Sequence, residues 1–405
     1  MNRVALRMLT GDTTKYLGIV FGVAFASLLM SQQMAIFCGL MRNTTSQIRD
    51  IAGGDIWVMD RSVQYVDDLK PMSEGKLQLV RGVPGVAWAV RLYKGIAKAR
   101  LGDGNYQQVI LVGVDDASLT GVPQPGRVLV GSVEDLRRPD AVMIDEFGWR
   151  YLFPDEPFAP GKVLEMNDKR AVIVGMCQCL PTFQTFPILY CTYSQAVKFV
   201  PQERKTLTFI LAKVDDRTPP PAAAAATPPQ PKCPFGFADT SRAAEVAKAV
   251  TAATGLQART NDQFFWQTIG YYMVRTGIPI NFAITVFLGF VVGCAIAGQT
   301  FYLFTLENLK QFGSLKAMGV SNVRIIGMVL LQALVVGAIG FGLGLGGAAG
   351  FGVVFPLLAK SAPPSFYLGW HVVALTAGAV ALIMTLAALM SLKKVLFLEA
   401  GVVFR

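Results

Sequence analysis

Four long stretches of the chain, approximately Tyr16–Leu40, Gly277–Leu306, Ile325–Leu358 and Trp370–Leu392, contain no Asp, Glu, Lys or Arg. A bilayer core of roughly 30 Å is crossed by about 20 helical residues, so each stretch is long enough to span it. A soluble core cannot absorb all four. Only 16% of the residues are charged and 53% are hydrophobic, whereas soluble domains carry roughly 25% charged residues. The first stretch is longer than a secretion-signal core and no small-x-small cleavage site follows it, which makes it a retained anchor. Phe37 before Cys38 is too bulky for a lipoprotein site. The third exceeds one straight span, and Pro356 with Pro363-Pro364 predicts an outer re-entrant or kinked segment at its end.

Basic residues set the orientation. Arg3, Arg7 and Lys15 precede the first span, Lys310, Lys316 and Arg324 lie between the second and third, and Lys393, Lys394 and Arg405 follow the fourth. The positive-inside rule then places both termini and the 307–324 loop in the cytoplasm and exports residues 41–276. The net charge of +10 is scattered along the chain without a nucleic-acid motif. Anionic lipid and topology account for it, and no nucleic-acid partner is expected.

The exported segment reads as α+β. A helical extension over Arg42–Ile51 is broken by Gly53-Gly54, and Asp55–Met59 has the β-branched and aromatic content of a strand. Gly75–Arg81 suits a helix, followed by a strand through Leu92. Ile96–Leu101 and Gln107–Val114 flank the turn Gly102-Asp103-Gly104-Asn105 as a hairpin. Further strands are expected at Ala141–Ile144, Ala171–Met176 and Leu207–Val214. Residues 218–232 are a Pro/Ala-rich loop without chemistry. Ser241–Thr254 is an amphipathic helix, with Thr240 or Ser241 as N-cap and Gly255 past its end. The aromatic-rich Asn261–Thr276 reads as a stalk helix continuing into the second span.

Catalytic and metal chemistry find little footing. No Gly-x-x-x-x-Gly-Lys-[Ser/Thr] loop exists, and the only histidine, His371, sits at a span edge. Asp115-Asp116 and Asp215-Asp216 read as turn residues. Cys177, Cys179, Cys191 and Cys233 fall in the exported segment, where disulfides persist. Spacing leaves open whether they pair or remain buried thiols. Ser31, Gln32, Gln33, Gln299 and Gln332 can hydrogen-bond between spans but cannot carry a proton cycle. Energy is therefore expected to reach the spans mechanically. In the third span Gly340 and Gly344, and the offset series Gly342, Gly346 and Gly350, offer small-xxx-small faces for packing within a chain or between chains.

The 307–324 loop is the informative segment. Leu306, Leu309 and Phe312 recur every three residues, Leu315 and Met318 continue the series, and Ser321 can cap the next helix. Such an amphipathic helix can insert an apolar knob into a partner's groove or rest on headgroups, and periodicity leaves both open.

Leu315-Lys316-Ala317-Met318-Gly319 resembles the loop after the second span in MacB-type and FtsX-type ABC permeases. Asn2–Leu9 resembles their amphipathic N-terminal helix, here residues 1–15. Gly85-Val86 and Val112–Asp115 resemble their periplasmic core. Leu398–Arg405 resembles their C-terminal tail without its Asp-Pro. With Phe265-Trp266-Gln267-Thr268 before the second span, the chain is most similar to DevC-type permeases. The resemblance implies a four-span α-helical membrane protein with an α+β periplasmic domain of porter/sabre type inserted between helices 1 and 2. The porter would fall at about 42–92 plus 205–260, with the sabre between. The spans would be 16–40, 277–306, 325–358 with an outer extension, and 370–392, with a cytoplasmic tail at 393–405. It implies a non-catalytic permease of the bacterial inner membrane that binds no cofactor itself, ATP and Mg residing on a separate ABC ATPase. A second permease copy, a periplasmic adaptor and an outer-membrane channel are the other expected partners, beside membrane lipids. The implied activity is export of a lipid, glycolipid, peptide or other hydrophobic compound. An FtsX-like scaffold for a cell-wall hydrolase and a LolC/LolE-type lipoprotein-extracting subunit are the alternatives. The ATPase-coupling residues would be Leu309, Phe312, Gly313, Leu315, Lys316, Met318 and Gly319.

Overall fold

A computed structural model describes residues 7–9, 13–124, 126–154, 156–201, 206–215, 217, 241–358 and 365–396. The expectations for most of the N-terminal helix, the 218–232 loop, Cys233, Pro363-Pro364 and the tail from 397 lie outside these residues. In chain order the helices are α1 (Thr13–Thr44), α2 (Ser46–Asp50), α3 (Gly75–Arg81), α4 (Glu146–Leu152), α5 (Tyr193–Phe199), α6 (Arg242–Thr254), α7 (Asn261–Arg275), α8 (Ile278–Glu307), α9 (Leu309–Ala317), α10 (Asn322–Leu358) and α11 (Trp370–Leu396). The chain divides into two compact units, a helical bundle and an inserted α+β domain.

Among the described residues the bundle contains four helices long and apolar enough to cross a membrane, at Tyr16–Thr44, Ile278–Glu307, Asn322–Phe355 and Trp370–Ser391. Where hydrocarbon surrounds a helix, close packing through small residues replaces the hydrophobic effect as the force between helices. Glycines serve this at the α1 crossings. A Cβ on Gly344 would lie 2.4 Å from Ala24 O, and one on Gly340 would lie 2.7 Å from Val23 Cβ. Gly293 of α8 meets Ala26 as closely, at 2.7 Å. Ser27 Oγ donates to Phe341 O at 3.3 Å across the α1–α10 contact. Gly340 and Gly344 thus pack within the chain, whereas among the described residues Gly342, Gly346 and Gly350 have nothing within 4 Å of a built Cβ. Only 17% of the α8 window is buried, against 39–50% for the other three, so α8 offers most of its apolar surface outward. α10 continues past Pro356 to Leu358, and the part of the expected re-entrant or kinked segment at Pro363-Pro364 lies outside the described residues.

In the inserted domain ten strands form one sheet in the order β10-β1-β9-β2-β3-β8-β5-β7-β4, with β6 against β2 and β7. They are β1 (Ile56–Met59), β2 (Val86–Arg100), β3 (Tyr106–Val114), β4 (Val128–Val130), β5 (Ala141–Asp145), β6 (Val163–Met166), β7 (Lys169–Cys177), β8 (Ile188–Thr192), β9 (Phe209–Val214) and β10 (Gln257–Thr260). The two strands expected before and after residue 95 are one 15-residue strand. Its first half pairs with β9 through Leu92, and its second half pairs with β3 from Tyr93. The β2–β3 turn falls at Gly102–Asn105, where Gly104 adopts φ +87°, a conformation open to glycine.

Side chains alternate across the sheet and build two cores. Ile56, Val58, Leu111, Leu189 and Cys191 enter one, while Trp57, Met59, Ile110, Val112, Tyr190 and Cys177 enter the other. The helix α6 is capped at both ends as its sequence predicts: Ser241 Oγ accepts from Ala244 N at 3.3 Å, and Gly255 takes φ +69°. A capping box opens α7, with Thr260 Oγ1 accepting from Gln263 N at 3.2 Å. The stalk is not continuous with the second span. α7 stops at Arg275, Thr276 is extended at φ −112° and ψ 152°, and α8 begins afresh with Pro279 in its first turn. A proline ring crowds the carbonyl four residues earlier in a helix, so Pro279 disfavours continuation from Arg275, and here the helix breaks at Thr276.

Candidate functional site: the helix linking the second and third spans

The short helix α9 is held at both ends. At its start Asn308 leaves helical geometry, and its Nδ2 donates back to Phe304 O at 2.8 Å. Phe312 N donates to Asn308 O at 3.1 Å, so α9 grows from the residue that ends α8. At its end Val320 N reaches Leu315 O at 3.1 Å and Gly319 N reaches Lys316 O at 3.1 Å. These are the paired bonds of a Schellman cap, which needs a left-handed residue after the helix. Gly319 supplies it at φ +84°. The Leu-Lys-Ala-Met-Gly run therefore encodes a defined stop. Ser321 stands just before α10, and its carbonyl accepts from Arg324 N at 3.0 Å and Ile325 N at 3.2 Å.

The expected apolar stripe does not lie on one face. A three-residue step falls about 60° short of a helical turn, so Leu309, Phe312, Leu315 and Met318 rotate through about 180°. Phe312 is 1% exposed and packs in the bundle core with Leu9, Phe304, Ile325 and Val329. Leu309 leans on the same core and Gly313 is buried beside it. Leu315 and Lys316 are half-buried, while Lys310, Gln311, Ser314 and Gly319 are exposed. Met318 is 71% exposed on the side opposite Leu309, and Val323 beyond it is 77% exposed. The outward knob is thus Met318, and Phe312 is the root that fixes the helix in the bundle.

The aromatic run before the second span divides similarly. Phe265 and Trp266 are half-buried, with the Arg49 guanidinium 4.5 Å from the Phe265 ring. Gln267 is buried and donates to Val63 O at 3.1 Å. Sequence reasoning missed a nearby cluster. Asp50 is buried, pairs with Arg127, and accepts from Leu180 N at 2.7 Å. Asp145 is fully buried, accepts from Ile188 N at 2.7 Å and Gly148 N at 3.0 Å, and burial pushes its pKa up to about 7.

The described cysteines are free thiols, and a pairing of Cys177 with Cys191 is excluded by their opposite sheet faces. Cys177 and Cys179 share a thiol–thiol hydrogen bond at 3.6 Å and form no disulfide. The neighbouring Cys179 thiol and burial raise the Cys177 pKa well above the ordinary thiol range.

The MacB-like periplasmic core domain family matches residues 16–229, and the FtsX-like permease C-terminal family matches residues 283–400. No curated protein sequence matches the chain significantly. Among solved structures, the periplasmic region of MacB from Actinobacillus actinomycetemcomitans is similar at 12% identity and a TM-score of 0.33, covering 53% of this chain and 92% of that one. The extracellular domain of the noncanonic ABC-type transporter YknZ from Gram-positive bacteria is similar at 13% identity and a TM-score of 0.32, covering 51% of this chain and 100% of that one. The first family match spans more than half of the chain and the second covers most of the remaining bundle. The chain belongs to the MacB/FtsX superfamily of ABC transporter permeases.

Proposed function

We propose that this permease is the membrane subunit of an exporter of the bacterial inner membrane, with both termini cytoplasmic and the inserted domain exported. A separate ABC ATPase, carrying ATP and Mg, docks against the outer face of α9 around Met318. The supporting observation is the way α9 is anchored. Phe312 roots it in the bundle core and Asn308 joins it directly to α8. A push on the exposed side of α9 therefore passes into the second and third spans without loss in a flexible loop. The substrate class is a lipid, glycolipid, peptide or other hydrophobic compound. The working unit is a dimer, for which the outward apolar face of α8, with Ile284, Phe287 and Val291, and the open glycines of α10 supply candidate surfaces. An adaptor and an outer-membrane channel complete the path. The interruption at Thr276 and Gly277 favours transmission through a joint over a rigid stalk.

Co-purification of the tagged chain in mild detergent tests this reading. An ABC ATPase with an adaptor and outer-membrane channel is the expected set. A cell-wall hydrolase bound to the inserted domain would support a regulatory scaffold, and a lipoprotein chaperone would support lipoprotein extraction. Recovery of no ATPase, even after cross-linking in native membranes, refutes the coupling assignment.

A further inference from the structure

Where α2, the segment after β7 and α7 come together, four side chains bury polar atoms without a partner. Ser46 Oγ, Gln47 Nε2 and Oε1, Thr182 Oγ1 and Thr268 Oγ1 make no hydrogen bond among the described residues. None of these residues is more than 2% exposed. Other buried threonines of the same domain satisfy themselves against their own helix. Thr44 donates to Met41 O at 2.7 Å, Thr251 to Ala247 O at 2.9 Å and Thr254 to Val250 O at 2.7 Å. Thr268, in mid-helix, does not do so.

The three segments meet directly. Leu180 N donates to Asp50 of α2 at 2.7 Å, and the Phe183 ring centroid lies 4.9 Å from that of Tyr272 on α7. Residue 182 is thus held between the two helices, which also pack on each other. On α2, Asp50 points toward the 178–187 segment, and Ser46 and Gln47 flank that direction within about 60° one turn earlier. On α7, Thr268 stands one turn before Tyr272 on the same face. The orphan atoms therefore all belong to the segments that meet at this junction.

Buried polar atoms in folded proteins are answered by protein or by ordered water. We propose that this junction binds a small cluster of internal water molecules held by Ser46, Gln47, Thr182 and Thr268. The four residues are uncharged and offer both donors and acceptors, which suits water better than an ion or an apolar guest. Five unpartnered atoms are enough for about two waters at the usual three bonds each. Water-bridged contacts are nearly as good as direct ones and exchange partners readily. The cluster makes the α2–α7 contact a joint that shifts without breaking direct bonds, at the points where the chain enters and leaves the inserted domain.

The test uses the full chain in detergent and the isosteric variants Thr182→Val and Thr268→Val, alone and together. Removing a hydroxyl that holds water leaves the water and its other partners short of a bond. The double variant is then expected to lower the unfolding midpoint of the inserted domain by about 2 °C or more, with Thr268→Ser near wild type. An unchanged or raised midpoint overturns the proposal, because deleting a dry, unanswered hydroxyl stabilises. Should the valine variants fail to fold, X-ray hydroxyl-radical footprinting of the wild-type chain decides, since radicals form at bound water. Oxidation of Phe264, which like Phe209 is 0% exposed, well above that of Phe209 supports the cluster. Labelling no greater than that of Phe209 overturns it.

Discussion

Replacing Phe312 and replacing Met318 should have opposite consequences, although one lies within and the other caps the same nine-residue helix. Phe312→Ala empties a fully buried site. Phe-to-Ala substitutions in cores cost about 3–5 kcal/mol through lost transfer energy and the cavity left behind. Leu309 and Val320 beside it are only partly buried and can settle inward, which places the cost near 3 kcal/mol. Met318→Asp touches nothing buried and should change stability by no more than about 0.5 kcal/mol. If Met318 is central to the ATPase contact, its loss costs about 2 kcal/mol or more, close to a thirtyfold weaker complex. The assay measures both quantities on each purified variant: thermal unfolding in detergent and equilibrium binding of the ATPase. Phe312→Ala is expected to unfold at lower temperature and to lose the partner only as far as the bundle loosens. Met318→Asp is expected to unfold like wild type and to bind the partner about thirtyfold or more weakly. A Phe312→Ala chain of unchanged stability that releases the ATPase, or a Met318→Asp chain that keeps it, refutes the division into root and knob.

Gly344→Val drives a side chain into Ala24 O and should cost several kcal/mol of bundle stability, while Gly346→Val, facing open space, should leave monomer unfolding unchanged; paired thermal scans separate them. Alkylation in denaturant without reductant should label Cys191 as a free thiol, and a disulfide-linked peptide joining it to Cys177 would contradict the sheet placement. Asp145 keeps its proton in the native domain up to about pH 7, whereas unfolding returns it to 3.8. Its contribution is complete below pH 4 and lost as pH rises through 7. At about 1.4 kcal/mol per pH unit, as much as about 4 kcal/mol is at stake. Denaturant midpoints at pH 5 and 8 should show this fall, and Asp145→Asn should flatten it.

Signals that act within one turn of chain were readable. The caps at Ser241 and Gly255 bound α6 correctly because a hydroxyl or a left-handed glycine acts locally. The four spans were readable because length and absence of charge suffice. Signals that depend on distant partners were not. β10, Gln257-Ala258-Arg259-Thr260, is fully buried with one apolar residue, and only its pairing with β1 makes it a strand. At α9 the expected single apolar face is not what the helix shows. A three-residue rhythm looks like a face over six residues and has crossed the helix by nine, so Phe312 and Met318 were grouped although bundle packing separates them. The unpartnered atoms of Gln47 and Thr268 have no sequence signature, because burial without a partner arises only once α2 and α7 meet.

β2 belongs to both halves of the sheet, pairing with β9 up to Leu92 and with β3 from Tyr93. Bending the domain there would break ladder bonds on two flanks of a single uninterrupted backbone. The inserted domain therefore behaves as a monolithic arm. A bend at its β10 edge can reach its β4 edge only by being carried across the full width of one continuous sheet.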